Sequence, residues 1–487
     1  MTGLTDFRTR LRRLAATDPD VVVAMRPDGS CISAGDLLET AETVVGLVGG
    51  SAAGRRVGVT ATNTVEAVAA LHGVWLAGGS AVLIGPMTPA AEAERRLAVT
   101  GCIAHVTPGA TPSVNTLDPR DDARADGEAV VIFTSGTTGQ AKAASIPFRS
   151  LESSARTIAK GLGVGAEGRP LASPPRTPQV VFVALAHMGG LLATQTSWSV
   201  GKPFLFVPKF DADTAFALIE RFQLTTLALT PAMVFDLAYA PGERSIAPVK
   251  SVSCGTAPLP ESTRLAFERR YGAPILRNYG QTEFTGAIAF ERYDDVKAGR
   301  RPPLSVGRVA DGVEVRIVGE GDVELPFGEV GEIWARGGSS MAGYLGADGA
   351  PKTGREAAKM GEEGWIATGD LGTLDADGFV AIVGRSRDLM ICGGFNVYPA
   401  VVEAAVNEVP GVLDCAVAGR NDERLGEVPV VAVVAEAGAN LALEPFRTAL
   451  RTRLAGYELP RDLRIIEAIP RTANGKVDRP AVAALFG

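Results

Sequence analysis

Histidine and cysteine are scarce in this chain. Its 487 residues include 3 histidines and 5 cysteines, and the cysteines are scattered along the sequence without a close pair. A disulfide framework needs paired cysteines in a short chain, and zinc sites need cysteines or histidines at short, regular spacing. The sequence therefore argues against a disulfide scaffold, a structural zinc site and a multi-histidine metal centre.

An excess of positive charge is also missing. Lysine and arginine number 48 against 55 aspartate and glutamate residues, which gives a net charge of -7 and an isoelectric point near 5.3. Proteins that bind nucleic acid normally show a basic excess. We therefore expect no nucleic-acid partner, and an anionic small ligand would need positive charge that is concentrated at its site.

The sequence also lacks an uninterrupted apolar run of the length that a membrane span requires. A long uncharged run at 67–87 contains glycines and a proline, and it predicts a helix, a turn and a strand at 81–84. Residues 1–15 alternate arginine with apolar residues and lack the apolar centre of a secretory signal. The default expectation is a cytoplasmic protein without a membrane span.

The overall composition is typical of a folded α/β protein of several units. Hydrophobic residues make up 46% and charged residues 21% of the chain, which excludes extensive disorder. The length predicts about three structural units. The 57 glycines and 31 prolines predict many tight turns between elements.

Short β-branched runs alternate with segments of helical spacing over much of the chain. The predicted strands lie at 56–60, 130–133, 180–183, 204–207 and 226–229. Helices are predicted at 213–222, with Asp213 as the N-cap, and at 261–271. This alternation predicts sheets that are largely parallel and covered by helices on both faces.

The pattern changes at about residue 305, where strands joined by glycine and aspartate turns predict a β subdomain over about 305–384. A charged stretch at 385–388 separates it from a compact α+β unit over 389–487, whose first helix is predicted at 400–409. We therefore predict an N-terminal domain over 1–384 and a C-terminal domain over 389–487.

The segment 134–142, Thr-Ser-Gly-Thr-Thr-Gly-Gln-Ala-Lys, follows an apolar run at 129–133. Gly136 and Gly139 lack a Cβ and let the backbone approach an anion, which consecutive amides can bind, and Lys142 adds a point charge. Its hydroxyl donors are Thr134, Ser135, Thr137 and Thr138. The Walker A pattern is absent, because alanine stands on both sides of the lysine. A different phosphate loop and a plain surface turn remain the alternatives.

Two further segments place carboxylates beside strands. Asn278-Tyr-Gly-Gln-Thr-Glu283 follows the strand at 274–276, and a carboxylate there suits magnesium, while Tyr279 offers an aromatic face to a purine. Asp370, between glycine and leucine, is placed to accept hydrogen bonds from a ribose. Each segment also fits a polar turn.

Three more segments contain residue types that suit ligand binding. Gly393 and Gly394 would let a narrow ligand pass close to the backbone, and Lys476 follows Asn-Gly in a loop near the C-terminus. His187 lies in the apolar stretch 184–190, where a satisfied core histidine is the commoner case.

In their order along the chain, these segments resemble those of the adenylate-forming superfamily of acyl-CoA and aryl-CoA ligases, luciferases and peptide-synthetase adenylation domains. The resemblance extends from about residue 56 to residue 479. It implies a large N-terminal α/β domain, a small mobile C-terminal domain, a hinge over 385–388 with Asp388 at its pivot, and Lys476 and Glu283 as catalytic residues. The sequence of residues 393–399 resembles that of the CoA ligases more than that of the amino-acid adenylation domains.

The resemblance also assigns ligand sites. ATP or AMP is expected at Thr134, Ser135, Gly136, Thr137, Thr138, Gly139, Lys142, Gly255, Thr256, Ala257, Asn278, Tyr279, Gly280, Gln281, Thr282, Asp370 and Arg385. Magnesium is expected at Glu283 and Thr134, the acyl group at His187, Met188, Gly189 and Gly190, and coenzyme A at Gly393, Gly394 and Phe395. The implied reaction converts a carboxylate and ATP to acyl-AMP and pyrophosphate, and then transfers the acyl group to the CoA thiol.

Some positions narrow or weaken these implications. Ala184, Leu185 and Ala186 stand where amino-acid-activating members carry an aspartate, and an unpaired ammonium would be costly to bury there, so a free amino acid is disfavoured. Ala141, Ala143 and Val401 replace the usual proline, glycine and glutamate, although none of them removes a catalytic group.

Two other functions remain open. One is a ligase that loads the phosphopantetheine of an acyl carrier protein, which a basic patch on the C-terminal unit would favour. The other is a non-catalytic acyl-binding or nucleotide-binding protein, which the joint presence of Lys476, Glu283, Asp370 and Arg385 disfavours. A homodimer is a further association that the sequence leaves open.

Overall fold

Strands and helices alternate along most of the chain in the computed structural model, which describes residues 6–118, 125–134, 141–165, 168–172, 177–352, 360, 362–436, 438–439, 441–471 and 476–487. The described strands are β1 (Val22–Met25), β2 (Cys31–Ser33), β3 (Arg56–Thr60), β4 (Ser80–Ile84), β5 (Ala104–Thr107), β6 (Ser113–Thr116), β7 (Glu128–Thr134), β8 (Lys142–Pro147), β9 (Gln179–Val181), β10 (Phe204–Phe206), β11 (Thr226–Leu229), β12 (Ser251–Cys254), β13 (Ile275–Gln281), β14 (Gly286–Phe290), β15 (Ser305–Val309), β16 (Val313–Val318), β17 (Gly331–Gly337), β18 (Gly343–Leu345), β19 (Pro351–Lys352), β20 (Ile366–Leu374), β21 (Phe379–Arg385), β22 (Met390–Cys392), β23 (Phe395–Val397), β24 (Val412–Asp422), β25 (Gly426–Ala435) and β26 (Leu463–Ile465).

Thirteen α-helices are found among these described residues: α1 (Arg10–Thr17), α2 (Ala34–Val48), α3 (Val65–Leu76), α4 (Ala90–Thr100), α5 (Phe148–Gly161), α6 (Met188–Ser197), α7 (Ala212–Phe222), α8 (Pro231–Ala238), α9 (Glu261–Tyr271), α10 (Tyr293–Lys297), α11 (Pro399–Val406), α12 (Leu443–Leu450) and α13 (Arg479–Ala484). Within the described ranges, none of the helices combines the length and the apolar character that crossing a bilayer requires.

Two sheets in the N-terminal part share one hydrophobic core. The larger has the strand order β19-β18-β8-β7-β4-β3-β5-β6, in which β3 runs parallel to β4 and β5 while β8 returns antiparallel to β7. The smaller has the order β2-β1-β10-β9, with parallel pairing across β1, β10 and β9. Helices α2 and α3 supply much of the buried apolar surface, because nearly every side chain of α3 is buried.

The third sheet changes from parallel to antiparallel at its centre. Its order is β11-β12-β13-β14-β15-β21-β20-β17-β16; β11, β12 and β13 are parallel, and pairing is antiparallel from β13 to β14 onward. Ligand sites of α/β proteins form beyond the carboxyl ends of parallel strands. In this sheet those ends hold Gly255, Thr256 and Ala257, which follow β12, and the predicted segment 278–283 at the end of β13.

The fourth sheet, β23-β22-β25-β24 with β26 beside β25, lies within 389–487. It has separate hydrophobic clusters, one with α11 and α12 and the other with α13. The predicted mixed α/β fold is therefore confirmed. The domain boundaries and the mobility of the C-terminal part stay predictions.

Two helix ends differ from the sequence-based prediction. The N-cap of α7 is Asp211, whose side chain accepts a hydrogen bond from the Thr214 amide at 2.8 Å, so the choice of Asp213 was wrong. Helix α11 ends at Val406 rather than at residue 409. Pro410 explains the early end, because the residue before a proline is disfavoured in helical conformation.

A buried ion pair joins four strands of the eight-stranded sheet. Arg56 on β3 is 0% exposed, and its Nε donates to Oε1 of Glu128 on β7 at 2.7 Å. Ser80 on β4 and Ser145 on β8 donate their hydroxyls to the same carboxylate. The guanidinium also donates to the carbonyl of Gly349 at 2.9 Å.

We expect Glu128→Gln to lower the free energy of unfolding by about 3–5 kcal/mol, because it leaves the buried guanidinium of Arg56 without a counter-charge. Urea unfolding followed by circular dichroism measures the change. Glu314→Gln is the control, since it breaks the exposed pair of Glu314 with Arg336 and should leave the transition unchanged. Equal effects of the two substitutions would contradict this account of the pair.

Candidate active site

The hairpin of β7 and β8 carries the predicted phosphate loop at its open end. Thr134, the last residue of β7, is the cross-strand partner of Lys142, the first residue of β8. The residues between them that were assigned to ATP, Ser135, Gly136, Thr137, Thr138 and Gly139, lie outside the described residues. The structure therefore describes the two ends of this loop, which are neighbours across the hairpin.

Tyr344 links this hairpin to the predicted magnesium carboxylate. Strand β18 pairs with β8, which places Tyr344 beside Ala144. The phenol of Tyr344 donates a hydrogen bond to Oε1 of Glu283 and also hydrogen-bonds the side chain of Thr134. The Nζ of Lys142 lies 5.2 Å from the centre of the tyrosine ring. Burial, reinforced by the negative charge of Glu283, raises the pKa of Tyr344 well above its usual range, so the phenol remains a proton donor.

A buried carboxylate, Asp370, connects three strands of the third sheet. Its Oδ2 accepts hydrogen bonds from the hydroxyl of Tyr279 at 2.8 Å and from Nε2 of Gln281 at 2.7 Å, both on β13. Its Oδ1 lies 3.2 Å from Nε of Arg385, the cross-strand partner of Asp370 on β21. Burial, followed by the charge of Asp370, raises the pKa of Tyr279 well above its usual range. The predicted ribose residues are therefore in direct contact.

A narrow gap separates the ends of β12 and β13. The side-chain amide of Asn278 donates to the hydroxyl of Ser253 at 3.0 Å. A Cβ on Gly255 would lie only 2.0 Å from Oδ1 of Asn278, so a larger residue here would displace the Asn278 side chain, and Thr256 after it has a φ of 75°. The binding of adenine by these residues and Ala257 stays a prediction.

Gly280 and Thr282 have structural explanations of their own. A Cβ on Gly280 would lie 1.9 Å from the carbonyl oxygen of Gly286, so glycine is required by the close pairing of β13 with β14. Thr282 begins the 3-10 turn Thr282–Phe284, which directs Glu283 toward β18. Both residues shape the strand end, whatever ligand binds there.

Lys476 reaches the same cluster from the C-terminal part. It precedes Val477, which forms a bridge with Arg471, and the amide of Asp478 donates to the carbonyl of Pro470 at 2.9 Å. Burial and then the positive charge of Arg385 lower the pKa of Lys476, while the negative charges of Asp370 and Glu283 oppose that shift. Four charged groups from distant segments therefore act on one another at this site.

His187 is also within electrostatic range of Lys476. It is the N-cap residue of α6, and it is exposed to solvent. Burial lowers the pKa of His187, and the charge of Lys476 lowers it further. A satisfied core histidine is therefore the wrong description. Met188 instead packs into the core, and Gly190 lies against the carbonyl of Ala184.

Two of the predicted coenzyme A residues, Gly393 and Gly394, form the turn of a hairpin between β22 and β23, and the third, Phe395, begins β23. Gly393 and Gly394 have φ angles of 60° and 86°, and Phe395 is 57% exposed. The ring of Phe395 stacks on Tyr457 with a centroid separation of 4.6 Å. This turn is open to solvent, and its contact with coenzyme A stays a prediction.

Comparison with known proteins assigns the chain to a family. The model of the AMP-binding enzyme family matches residues 11–345, and the model of the AMP-binding enzyme C-terminal domain matches residues 401–476. The chain belongs to the AMP-binding enzyme family. The resemblance inferred from the sequence motifs is therefore confirmed.

This AMP-binding enzyme is similar to CoA ligases in sequence and to an amide bond synthetase in structure. It is 34% identical to an indoleacetate–CoA ligase of Aromatoleum aromaticum, over 73% of this chain and 67% of that protein. It is 31% identical to a 2-succinylbenzoate–CoA ligase of Bacillus velezensis, over 88% of this chain and 87% of the relative. In structure it is similar to an amide bond synthetase from Marinactinospora thermotolerans, with a TM-score of 0.83 and 26% identity over 99% of this chain and 100% of the other.

The donor set at Glu283 fits the magnesium ion that AMP-forming CoA ligases use with ATP. Among the residues that the structure describes, a hydrogen-bond donor reaches Oε1 of Glu283 but none reaches Oε2. A free carboxylate oxygen, with the nearby hydroxyl of Thr134, matches the preference of magnesium for oxygen ligands. When bound, the ion would neutralise phosphate charge at this position.

Reasoning from the sequence missed Tyr344 as a member of the site. The tyrosine lies in a short segment, 343–346, whose flanking glycines suggest only a turn. Its role depends on pairing between β18 and β8, two strands that are about two hundred residues apart in the chain. Arg479 and Glu403 were also missed, and their contacts are described below.

We expect Tyr344→Phe to weaken binding of a magnesium complex of a non-hydrolysable ATP analogue about 10-fold, because Glu283 loses the hydrogen bond that orients it. Calorimetric titration with and without magnesium measures the effect. Binding of the metal-free analogue should change little. Tyr293→Phe, on an exposed ring, is the matched control. An unchanged magnesium dependence in Tyr344→Phe would show that the phenol does not position Glu283.

The lowered pKa of Lys476 predicts an alkaline limit for adenylation. The ammonium must be protonated to offset negative charge, and a pKa below its ordinary value of 10.5 means that the charge is lost at a correspondingly lower pH. We expect kcat/KM for ATP to fall as the pH rises through that pKa. Lys476→Arg should keep its charge and move the alkaline limb to higher pH, even at reduced activity. If kcat/KM falls at the same alkaline pH in the unsubstituted protein and in Lys476→Arg, titration of Lys476 is not the cause of the fall.

Proposed function

We propose that this chain is an ATP-dependent acid–thiol ligase that activates a carboxylic acid as acyl-AMP and transfers the acyl group to coenzyme A. The observation that carries the proposal is the electrostatic cluster of Lys476, Glu283, Asp370 and Arg385 within a fold of this family. Asp370 and Arg385 are cross-strand partners in the third sheet, whereas Glu283 and Lys476 come from other segments, and the charges of the other three groups all act on Lys476.

In the first step, a carboxylate oxygen forms a bond to the α-phosphorus of ATP while the bond to the pyrophosphate oxygen breaks. Two anions approach each other, so the barrier depends on positive charge held where the negative charge develops. Lys476 supplies that charge from the C-terminal side. Lys142 begins β8 at the end of the phosphate hairpin, and we propose that its charge acts on the leaving pyrophosphate.

The residues proposed to bind the ribose would orient the α-phosphate for attack by the carboxylate of the acid. Asp370 is held by Tyr279, Gln281 and Arg385, so its carboxylate is fixed before nucleotide arrives. A ribose that binds this rigid group positions the α-phosphate relative to the acid, which lowers the entropic part of the barrier. Asn278 and Gly255 shape the edge for the adenine.

In the second step, the thiol sulfur forms a bond to the acyl carbon, the bond from that carbon to the phosphate oxygen breaks, and AMP leaves with the electron pair. The thiol proton goes to solvent. We infer that the C-terminal unit rotates about Asp388 between the steps, so that Lys476 withdraws and the thiol can approach the acyl-AMP. That rotation would carry the turn of Gly393 and Gly394 toward the acyl-AMP.

The acid is proposed to be an acyl or aryl carboxylic acid without an α-ammonium group. Ala184, Leu185 and Ala186 provide no carboxylate for an ammonium beside His187. Relatives named as ligases of indoleacetate, 2-succinylbenzoate and ferulate support an aromatic acid, whereas a relative named for sulfoacetate supports a small one. Both classes belong in the test.

Coenzyme A is the acceptor that the relatives' names favour. Acidic residues outnumber basic ones over 389–487. The net charge of this unit therefore gives no support for the basic patch that binding of a carrier protein would favour. A non-catalytic binding protein is disfavoured, since it would have no use for the Lys476 cluster. A homodimer and a cytoplasmic location stay predictions.

The test is pyrophosphate release across a panel of aromatic, aliphatic and sulfonated acids, with coenzyme A, a phosphopantetheinylated carrier protein and an amine as separate acceptors. The amine is included because of the structural similarity to an amide bond synthetase. We expect acid-dependent pyrophosphate release and a CoA thioester. Lys476→Ala should lower adenylation by about 100-fold or more, while thioester formation from synthetic acyl-AMP is largely spared. Absence of acid-dependent pyrophosphate, or equal losses in both steps, would refute the assignment.

A further inference from the structure

Arg479, three residues after Lys476, binds two carboxylates from different parts of the chain. Its Nη1 donates to Oε1 of Glu403 on α11 at 2.6 Å, and its Nη2 lies 3.3 Å from Oε2 of the same residue. Its Nε lies 3.3 Å from Oδ2 of Asp388. One guanidinium therefore joins a helix of the C-terminal unit to the segment 385–388.

The Glu403 side of this contact is internal to the C-terminal unit. Glu403 also accepts a hydrogen bond from the amide of Val417 on β24 at 2.9 Å, and Arg479 donates to the carbonyl of Val417. The side chains of Arg479 and Glu403 are only 19% and 17% exposed. A charge-assisted, bidentate pair in such partial burial holds its geometry far better than an exposed pair does.

The Asp388 side of the contact leads to the N-terminal sheet. Asp388 ends the 3-10 turn Ser386–Asp388, which follows β21 directly. Within that turn the hydroxyl of Ser386 donates to the carbonyl of Gly369 at 3.0 Å, next to Asp370. Asp388 is thus attached, within a few residues, to the strands that carry Asp370 and Arg385.

Contacts of Arg471 and Asp478 also hold the chain on either side of Lys476. Arg471 forms an ion pair with Asp414 at 2.8 Å and a strand-like bridge with Val477. Asp478 caps α13 by accepting from the amide of Ala481 at 3.1 Å. Movement of Arg479 relative to Asp388 would therefore move Lys476 relative to Asp370.

We propose that Arg479 is a positioning residue whose ion pair with Asp388 holds Lys476 in the arrangement required for adenylation, and that this pair is dispensable for thiol transfer. The inference rests on the proposed function, since it assigns the two half-reactions to different arrangements of the C-terminal unit. This role explains why residue 479 is an arginine. Its guanidinium can bind Glu403 through Nη1 and Nη2 and Asp388 through Nε, whereas a lysine ammonium cannot bind both carboxylates in a fixed geometry.

The test compares the two half-reactions in Asp388→Asn, which removes the ion pair with the hinge and leaves the Arg479–Glu403 pair intact. Pyrophosphate release with a saturating acid should fall about 10-fold, in the range of coupling through a single ion pair. Thioester formation from synthetic acyl-AMP and coenzyme A should change by less than about 2-fold. Thermal unfolding reports whether the C-terminal unit remains folded.

A double-mutant cycle with Arg479→Gln separates positioning from a general loss of structure. If the pair acts as proposed, the double variant is no slower in adenylation than Arg479→Gln alone, because the contact is already broken. Arg479→Lys should recover part of the adenylation rate by restoring charge opposite Asp388. The control is Arg420→Gln, which breaks the partly exposed pair with Asp462 in the same unit. It should leave both half-reactions unchanged.

The outcomes distinguish this inference from the proposed function. Equal losses in both half-reactions of Asp388→Asn, or effects of the two substitutions that multiply in the double variant, would overturn the positioning role. If the unsubstituted protein releases no acid-dependent pyrophosphate, the proposed function fails, irrespective of what the variants do.

Discussion

The buried carboxylate of Asp370 is the contact on which the site depends. It joins β13 through Tyr279 and Gln281 and β21 through Arg385, across the part of the sheet where parallel pairing gives way to antiparallel pairing. Burying a carboxylate is costly unless donors satisfy it, and here three donors do so. The strand ends that present Asn278 and Glu283 are fixed by the same contacts, so nucleotide recognition and metal recognition share one support.

A second constraint is the balance of charge around that carboxylate. Lys476 and Arg385 oppose Glu283 and Asp370 in a partly buried space, where charges act more strongly on one another than in water. Burial and the charge of Arg385 lower the pKa of Lys476, whereas the charges of Asp370 and Glu283 raise it. A nucleotide with its phosphates adds negative charge and would favour the ammonium further.

Local sequence patterns predicted the parts of this site better than their assembly. The strand at 56–60 and the helix at 261–271 have the predicted bounds, because β-branched runs and helical spacing are local signals. The N-cap of α7 was misassigned because Asp211 and Asp213 are equivalent by residue type, and only backbone geometry selects between them. Tyr344 and Arg479 were not predicted, since their contacts depend on strand order and on how 389–487 packs against the rest.

Knowledge of the family supplied what the local patterns could not, the approach of Lys476 to Glu283, but it does not determine the acid. We propose that this choice is made near His187, at the N-terminus of α6, a helix whose other end is held by hydrogen bonds. At the far end of α6, the buried guanidinium of Arg10 donates to the carbonyl of Gln195 at 3.0 Å and to the hydroxyl of Ser199 at 3.0 Å. Burial lowers the pKa of Arg10 to about 9, a cost that the negative end of a helix helps to offset. Near the start of the helix, the amide of Leu185 donates to Oδ1 of Asn63 at 2.9 Å. Hydrogen bonds thus fix the backbone on both sides of His187, so an acid that binds there would meet a rigid frame.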